Sequence, residues 1–204
     1  MAVQRKSSSG VQAQSGRRTV LTDAALRVLG AEGARGLTHR RVDQETGLPA
    51  GSTSNLFGTR EQLLLGALDR LVEVEFGGAL VPPIALQDPL EHGSQLLAGL
   101  IREWTAPEHR ALLQARFELL IEATRKPAFR PPLLERRSEI IGAVEQLMRA
   151  DGRPDPARRA VSLVAWVDGL LLHHLLDPDL IANEAELAAL VRMQLGGPTA
   201  QAQA

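Results

Sequence analysis

The chain has 204 residues, 44% of them hydrophobic, 23% charged and 3% aromatic, with a formal net charge of -1, enough to bury one or two modest cores. It contains no cysteine, which excludes disulfides, thiolate zinc sites and cysteine nucleophiles and leaves nothing that needs an oxidising compartment. Met1 to Arg18 lacks a continuous apolar signal segment, and later apolar runs are interrupted by charge, so the expectation is a cytoplasmic protein without a membrane partner.

The near-neutral total hides an asymmetry. Residues 1–60 carry nine basic against four acidic groups, a net of +5, and the remainder nets -6. A basic head on an acidic body suits a polyanion met by the head alone, because counterion release at phosphates depends on local charge. An ordinary solvated surface with a basic tail explains the same numbers.

Met1–Gly16 is rich in Ser, Gln and Gly and is expected to be a flexible arm. From Arg17 the pattern turns helical, with Val20, Leu21, Ala24, Ala25, Val28 and Leu29 on one face until Gly30 and Gly33. Thr38 can cap a short second helix that Gly47 ends, and Pro49 opens another over about Ala50 to Leu56. Thr59 followed by Gln62 makes a capping box for a long helix toward Gly77. Pro82 and Pro83 then break the chain. Further helices are predicted at about 90–105, 108–125, 130–150, 156–176 and 183–195, separated by Pro107, Pro127, Gly152 and Pro178. No strand alternation or hairpin dipeptide stands out, so the expected fold is all-α with about nine helices.

The segment Leu37 to Leu64 reads helix, Gly turn, helix, then the capped long helix. Val42, Leu48, Thr53, Leu56 and Phe57 are spaced to anchor the two short helices, leaving Ala50, Gly51, Ser52, Ser54 and Asn55 to face outward. A helix-turn-helix needs this division, because its second helix offers small polar side chains to base edges while its other face is locked to a scaffold. From helix pattern alone, an αα-hairpin that only packs is the simpler alternative.

The residues from Arg18 to about Leu65 resemble the N-terminal domain of TetR-family transcriptional regulators. Gly47-Leu48-Pro49-Ala50-Gly51-Ser52 stands where that family has Gly, an aliphatic, a small capping residue, a variable residue, Gly and Ser or Thr. Phe57-Gly58-Thr59-Arg60-Glu61-Gln62-Leu63-Leu64 stands where it has Phe, a turn, Ser or Thr, a basic residue, Glu and a Leu pair. The resemblance implies an N-terminal three-helix DNA-binding domain over 17–62, a helical effector-binding and dimerisation domain over 63–197 and a short tail over 198–204. It implies duplex DNA contacts by Arg18, Thr38, Arg40, Ala50, Gly51, Ser52, Ser54, Asn55 and Arg60, with Thr38, Arg40 and Arg60 on phosphates and Asn55 on a phosphate or an adenine edge. Arg41 is explained equally well by a solvent-facing helix position. Two departures matter. Ser54 stands where the family often has Tyr and Ala50 where it often has Lys, so those phosphate contacts are either lost or supplied otherwise, for example by backbone N–H groups, Arg40 or the arm.

Residues 156–176 form the most apolar helix of the chain, apolar nearly all round, as expected of a helix covered on two sides. Val164, Val167, Leu171 and Leu175 there, with Leu187, Leu190 and Val191 on the last helix, are predicted to make a two-fold, four-helix dimer interface; the centre of a monomeric bundle is the alternative. Polar or aromatic residues amid apolar ones (Trp104, Phe117, Glu118, Met148, Trp166, Asp168 and His173) are candidates for an effector pocket. Asp168 could equally bond across the dimer seam.

No GxSxG elbow, Walker A pattern or GxGxxG after a strand occurs, and no metal site or cofactor is expected. The scarcity of aromatic residues disfavours single-strand or RNA binding. The expectation is therefore a homodimeric repressor of a near-palindromic operator, released by an unidentified small organic effector through movement of helix four. The rival is a helical protein-interaction module whose basic head merely packs on an acidic partner.

Overall fold

In the computed structural model the described residues are 4–76, 89–181 and 184–196. Among them run nine α-helices: α1 (Gln4–Gly36), α2 (His39–Thr46), α3 (Ser52–Leu56), α4 (Arg60–Phe76), α5 (Pro89–Thr105), α6 (Arg110–Arg125), α7 (Arg130–Ala150), α8 (Pro156–Leu176) and α9 (Glu184–Gly196). Two short 3-10 turns, Pro107–His109 and Pro178–Ile181, complete the regular structure of the described residues, which contain no strand. The all-α expectation holds. The predicted break at Pro82 and Pro83 and the tail over 198–204 lie outside the described residues.

The helix boundaries follow local chemistry. Thr38, extended at φ -131 and ψ 154, starts α2 by accepting the Arg41 N–H on its hydroxyl, and Gly47 ends it at φ 67, a left-handed conformation that costs glycine little. Thr59 and Gln62 cap α4 reciprocally: Gln62 N–H donates to Thr59 Oγ1 at 3.1 Å, and Thr59 N–H donates to Gln62 Oε1 at 3.2 Å. The described part of the arm, from Gln4, is the first stretch of α1 instead of an irregular segment. Residues Gln14 to Arg18 are exposed, as is Val20, so little packing holds this part of α1. Extending an established helix adds one backbone hydrogen bond per residue without a new nucleus, which composition alone does not reveal. At Gly33, φ 69 and ψ -178 interrupt α1, and the Glu118 carboxylate accepts the Ala34 N–H at 2.8 Å.

The chain divides into two compact units, one made of residues through Glu75 with Gln114–Leu133, the other of Phe76–Leu113 with Leu134 onward. The core of the first includes Leu21, Leu29, Val42, Phe57, Leu63 and Leu119. Gly66 admits the Phe57 ring, since a Cβ there would come within 2.5 Å of it. The core of the second includes Ile101, Trp104, Met148, Leu163, Leu171, Leu187 and Val191, where α5 packs on α8 and α9.

Candidate nucleic-acid interface

Helix α3 is barely more than one turn and cannot hold its own shape. Its N-cap, Gly51, sits at φ 88 and has no side chain to offer. The missing cap comes from α2: Asp43 accepts Gly51 N–H on Oδ2 at 2.8 Å, and Thr53 N–H and Thr53 Oγ1–H on Oδ1 at 2.8 and 2.6 Å. Both Asp43 and Thr53 are buried. Burial pushes the Asp43 carboxyl up, but the Thr53 and Gly51 donors and the nearby His39 outweigh it and hold the group below its ordinary value.

With α3 held this way, Thr38, Arg40, Ala50, Ser54 and Asn55 are exposed and Gly51 is half-buried. Arg40 makes no ion pair among the described residues, whereas Arg41 is engaged by Glu32 at 2.6 Å and Glu45 at 3.1 Å. Arg18 is exposed, with its guanidinium 5.0 Å from the centre of the Phe57 ring and 3.9 Å from Asp69.

Two expected contacts take different positions. Ser52 does not face outward: it is 4% exposed, and its Oγ accepts a hydrogen bond from Arg17 Nη2 at 2.7 Å. It occupies the inward side of the first turn beside Thr53, a rotation that spacing on so short a helix leaves open. Arg60 turns into the first unit, donating to the Leu37 carbonyl at 3.2 Å, to Glu122 Oε1 at 2.9 Å and to the Ala34 carbonyl. Burial raises the Glu122 carboxyl, but Arg60 and Lys126 outweigh it and hold the group below its ordinary value. The partners of Arg60 lie up to 62 residues away in the chain, so the sequence offered no sign of them.

The candidate pocket residues are distributed over both units. Phe117 and Glu118 belong to the first unit, where Glu118 is spent on the Ala34 backbone, while Trp104, Met148, Trp166, Asp168 and His173 belong to the second. Asp168 pairs with Arg137 at 2.7 Å inside its own unit. His173 is exposed, its Nδ1 2.8 Å from the Gly169 carbonyl oxygen. Among the described residues no cluster of three or more His, Asp or Glu could hold a metal ion.

The predicted dimer residues are largely core. Leu171 and Val191 are fully buried and Val164, Val167 and Leu187 nearly so; Leu175 is half-buried and Leu190 exposed. The exposed apolar residues of α8 are Val161, Ala165, Leu172 and Leu176, and those of α9 include Leu190, which was among the predicted residues, and Met193. Helical periodicity reports that α8 is apolar nearly all round, but not which side its own chain covers. By length and composition α8 could also cross a membrane, and 28% of its 18-residue apolar stretch is buried in the single chain.

Residues 89–197 match the family model for the tetracyclin repressor-like C-terminal domain. The chain is similar to the HTH-type transcriptional regulators BetI of Rhizobium meliloti (strain 1021), 30% identical over 84% of this chain and 84% of that one, and of Agrobacterium fabrum (strain C58), 30% identical over 78% and 76%. Among solved structures it resembles a TetR-family member from Streptomyces coelicolor A3, with 35% identity, a TM-score of 0.68 and coverage of 87% and 97%. It also resembles the multidrug binding protein EbrR in complex with ethidium, with 34% identity, a TM-score of 0.64 and coverage of 87% and 98%.

Proposed function

Because the chain belongs to the TetR family of transcriptional regulators, we propose that it represses transcription as a homodimer on a near-palindromic operator and lets go when a small organic effector binds. The observation that carries this reading is the surface of α2 and α3, where Thr38, Arg40, Ala50, Ser54 and Asn55 are exposed on a backbone fixed from behind by Asp43. Arg40, Thr38 and the backbone near Ala50 would meet phosphates, and Asn55 has the paired donor and acceptor that read adenine. Arg18 keeps a phosphate role, since its weak pairing is easily exchanged. Arg60 and Ser52 are assigned to the scaffold.

Two-fold pairing through the open face of α8 and α9 would present two copies of α3 about 34 to 36 Å apart, one turn of duplex. The similarity to EbrR supports an organic effector, and aromatic cations are the first probes, since EbrR is solved with ethidium and with proflavin and the chain beyond residue 60 nets -6. Such an effector acts only through unequal affinity for DNA-ready and DNA-incompetent dimers, with α4 as the lever the reading assigns. By reciprocity, operator duplex must weaken effector binding by the same factor. The test titrates ethidium and proflavin into the full chain with and without operator; equal affinities would refute effector release by these cations.

A further inference from the structure

We infer that Asp43 is a positioning residue for operator recognition, setting the orientation of α3 from α2 without touching DNA itself. The inference rests on the reading of α3 as the recognition helix and deepens it.

Three observations carry it. Helix α3 spans only Ser52–Leu56, and its N-cap Gly51 supplies no capping side chain, so α3 has no means of its own to fix its start. Both oxygens of Asp43 are committed there, Oδ2 to Gly51 N–H at 2.8 Å and Oδ1 to both the N–H and the hydroxyl of Thr53 at 2.8 and 2.6 Å. Asp43 is 5% exposed, which limits competing water, and Thr53 is fully buried. Together these bonds fix where α3 begins and its rotation about its own axis. The two exposed polar residues of that helix, Ser54 and Asn55, follow in the next positions and inherit that rotation. Reading a base edge demands placement to a fraction of an ångström, whereas a phosphate contact tolerates more. Losing Asp43 should therefore degrade discrimination far more than general attraction to duplex.

Chemistry makes the carboxylate hard to replace. All three groups that meet it are donors, and an ionised carboxyl is acceptor-only. In Asp43→Asn one oxygen becomes an NH2, which would face either the Gly51 N–H or both Thr53 donors.

The experiment compares full-length wild type, Asp43→Asn, Thr53→Val and Thr53→Ser. It measures affinity for an operator duplex and for a random duplex of the same length, the slope of log affinity against log salt, and hydrogen exchange at the Gly51 and Thr53 amides. Asp43→Asn is expected to lower the operator-to-random ratio at least tenfold, leave the salt slope within one unit, and speed exchange at both amides. Thr53→Val should lower the ratio less, and Thr53→Ser, which keeps the hydroxyl, should restore it. A folded Asp43→Asn protein with a wild-type ratio and protected amides overturns the inference. Should Asp43→Asn not fold, the Thr53 pair decides: equal ratios for Val and Ser overturn it. If wild type itself does not prefer any duplex, the DNA-binding reading fails. Amide exchange then still shows whether Asp43 holds α3, and unchanged exchange would remove that role too.

Discussion

Arg60 donates from Nη1 to Glu122 Oε1 at 2.9 Å, joining the first residue of α4 to a buried carboxylate on α6. The same guanidinium also closes on the backbone carbonyls of Ala34 and Leu37. Arg60→Ala therefore leaves Glu122 with Lys126 as its remaining cation, at 3.3 Å, and strands two carbonyls. The expected loss is about 1–3 kcal/mol of stability, read from denaturant unfolding. The double change Arg60→Ala with Glu122→Ala should cost less than the sum of the two. Additive losses would mean that the pair contributes nothing.

Arg116 and Glu75 make a second ion pair in the same unit, at 2.5 Å, with both side chains buried. Removing one member of a buried pair is costly, so Glu75→Ala should cost about 3–5 kcal/mol. Unfolding midpoints that do not move would show that water reaches Arg116.

Acid stability follows from carboxyls held below their ordinary values, 3.8 for Asp43 and 4.5 for Glu45, Glu61 and Glu122, of which Asp43 and Glu122 are the buried ones. A depressed carboxyl contributes stability that is complete above its unfolded value and is lost as pH falls through its folded value. Stability should thus be level at neutral pH and decline below about pH 4.5. Asp43→Asn and Glu122→Gln should each flatten that decline, measured as thermal midpoint against pH. An unaltered acid limb would contradict the assignment.

The proposed dimer face is separable from the core beside it. Leu176→Asp or Met193→Asp, at residues 80% and 59% exposed, should leave the fold intact and shift the protein toward monomer in sedimentation. Leu171→Asp, at a fully buried position of the same helix, should unfold the chain instead. A stable dimer in both exposed variants would place the seam elsewhere.

Arg40→Ala should weaken every duplex alike and reduce the salt slope by about one, as expected for one phosphate contact. Asn55→Ala should cost about 1–3 kcal/mol on operator and little on random duplex. The reverse pattern, specificity lost with Arg40 and affinity with Asn55, would exchange their roles.

What could be read in advance was local. Thr38, Gly47 and the Thr59–Gln62 pair act within three or four residues of themselves, so their caps were legible from spacing, and α5 to α9 fell close to their apolar repeats. The less legible features depend on partners distant in sequence. Asp43 in the middle of a short helix looks like a solvated charge until α3 folds back over it. Ser52 and Asn55 cannot be told apart as inward and outward on so short a helix without knowing that Arg17 meets one of them. Arg60 reads as a basic residue at a helix start, where phosphate and Glu122 are equally suitable partners. A sign could have been found for one of these. A helix whose N-cap is glycine must borrow its cap, and the nearest preceding carboxylates, Asp43 and Glu45, are the residues to suspect.

The most direct test is equilibrium binding of the full chain to the duplex flanking its own gene and to a scrambled duplex of equal length, across a salt series, with footprinting of the flanking DNA. The account predicts a protected near-palindrome bound at least a thousandfold more tightly than the scrambled duplex, roughly the lower bound for specific recognition, with affinity falling steeply as salt rises. Equal binding of flanking, scrambled and other genomic duplexes, or none at low salt, would contradict it.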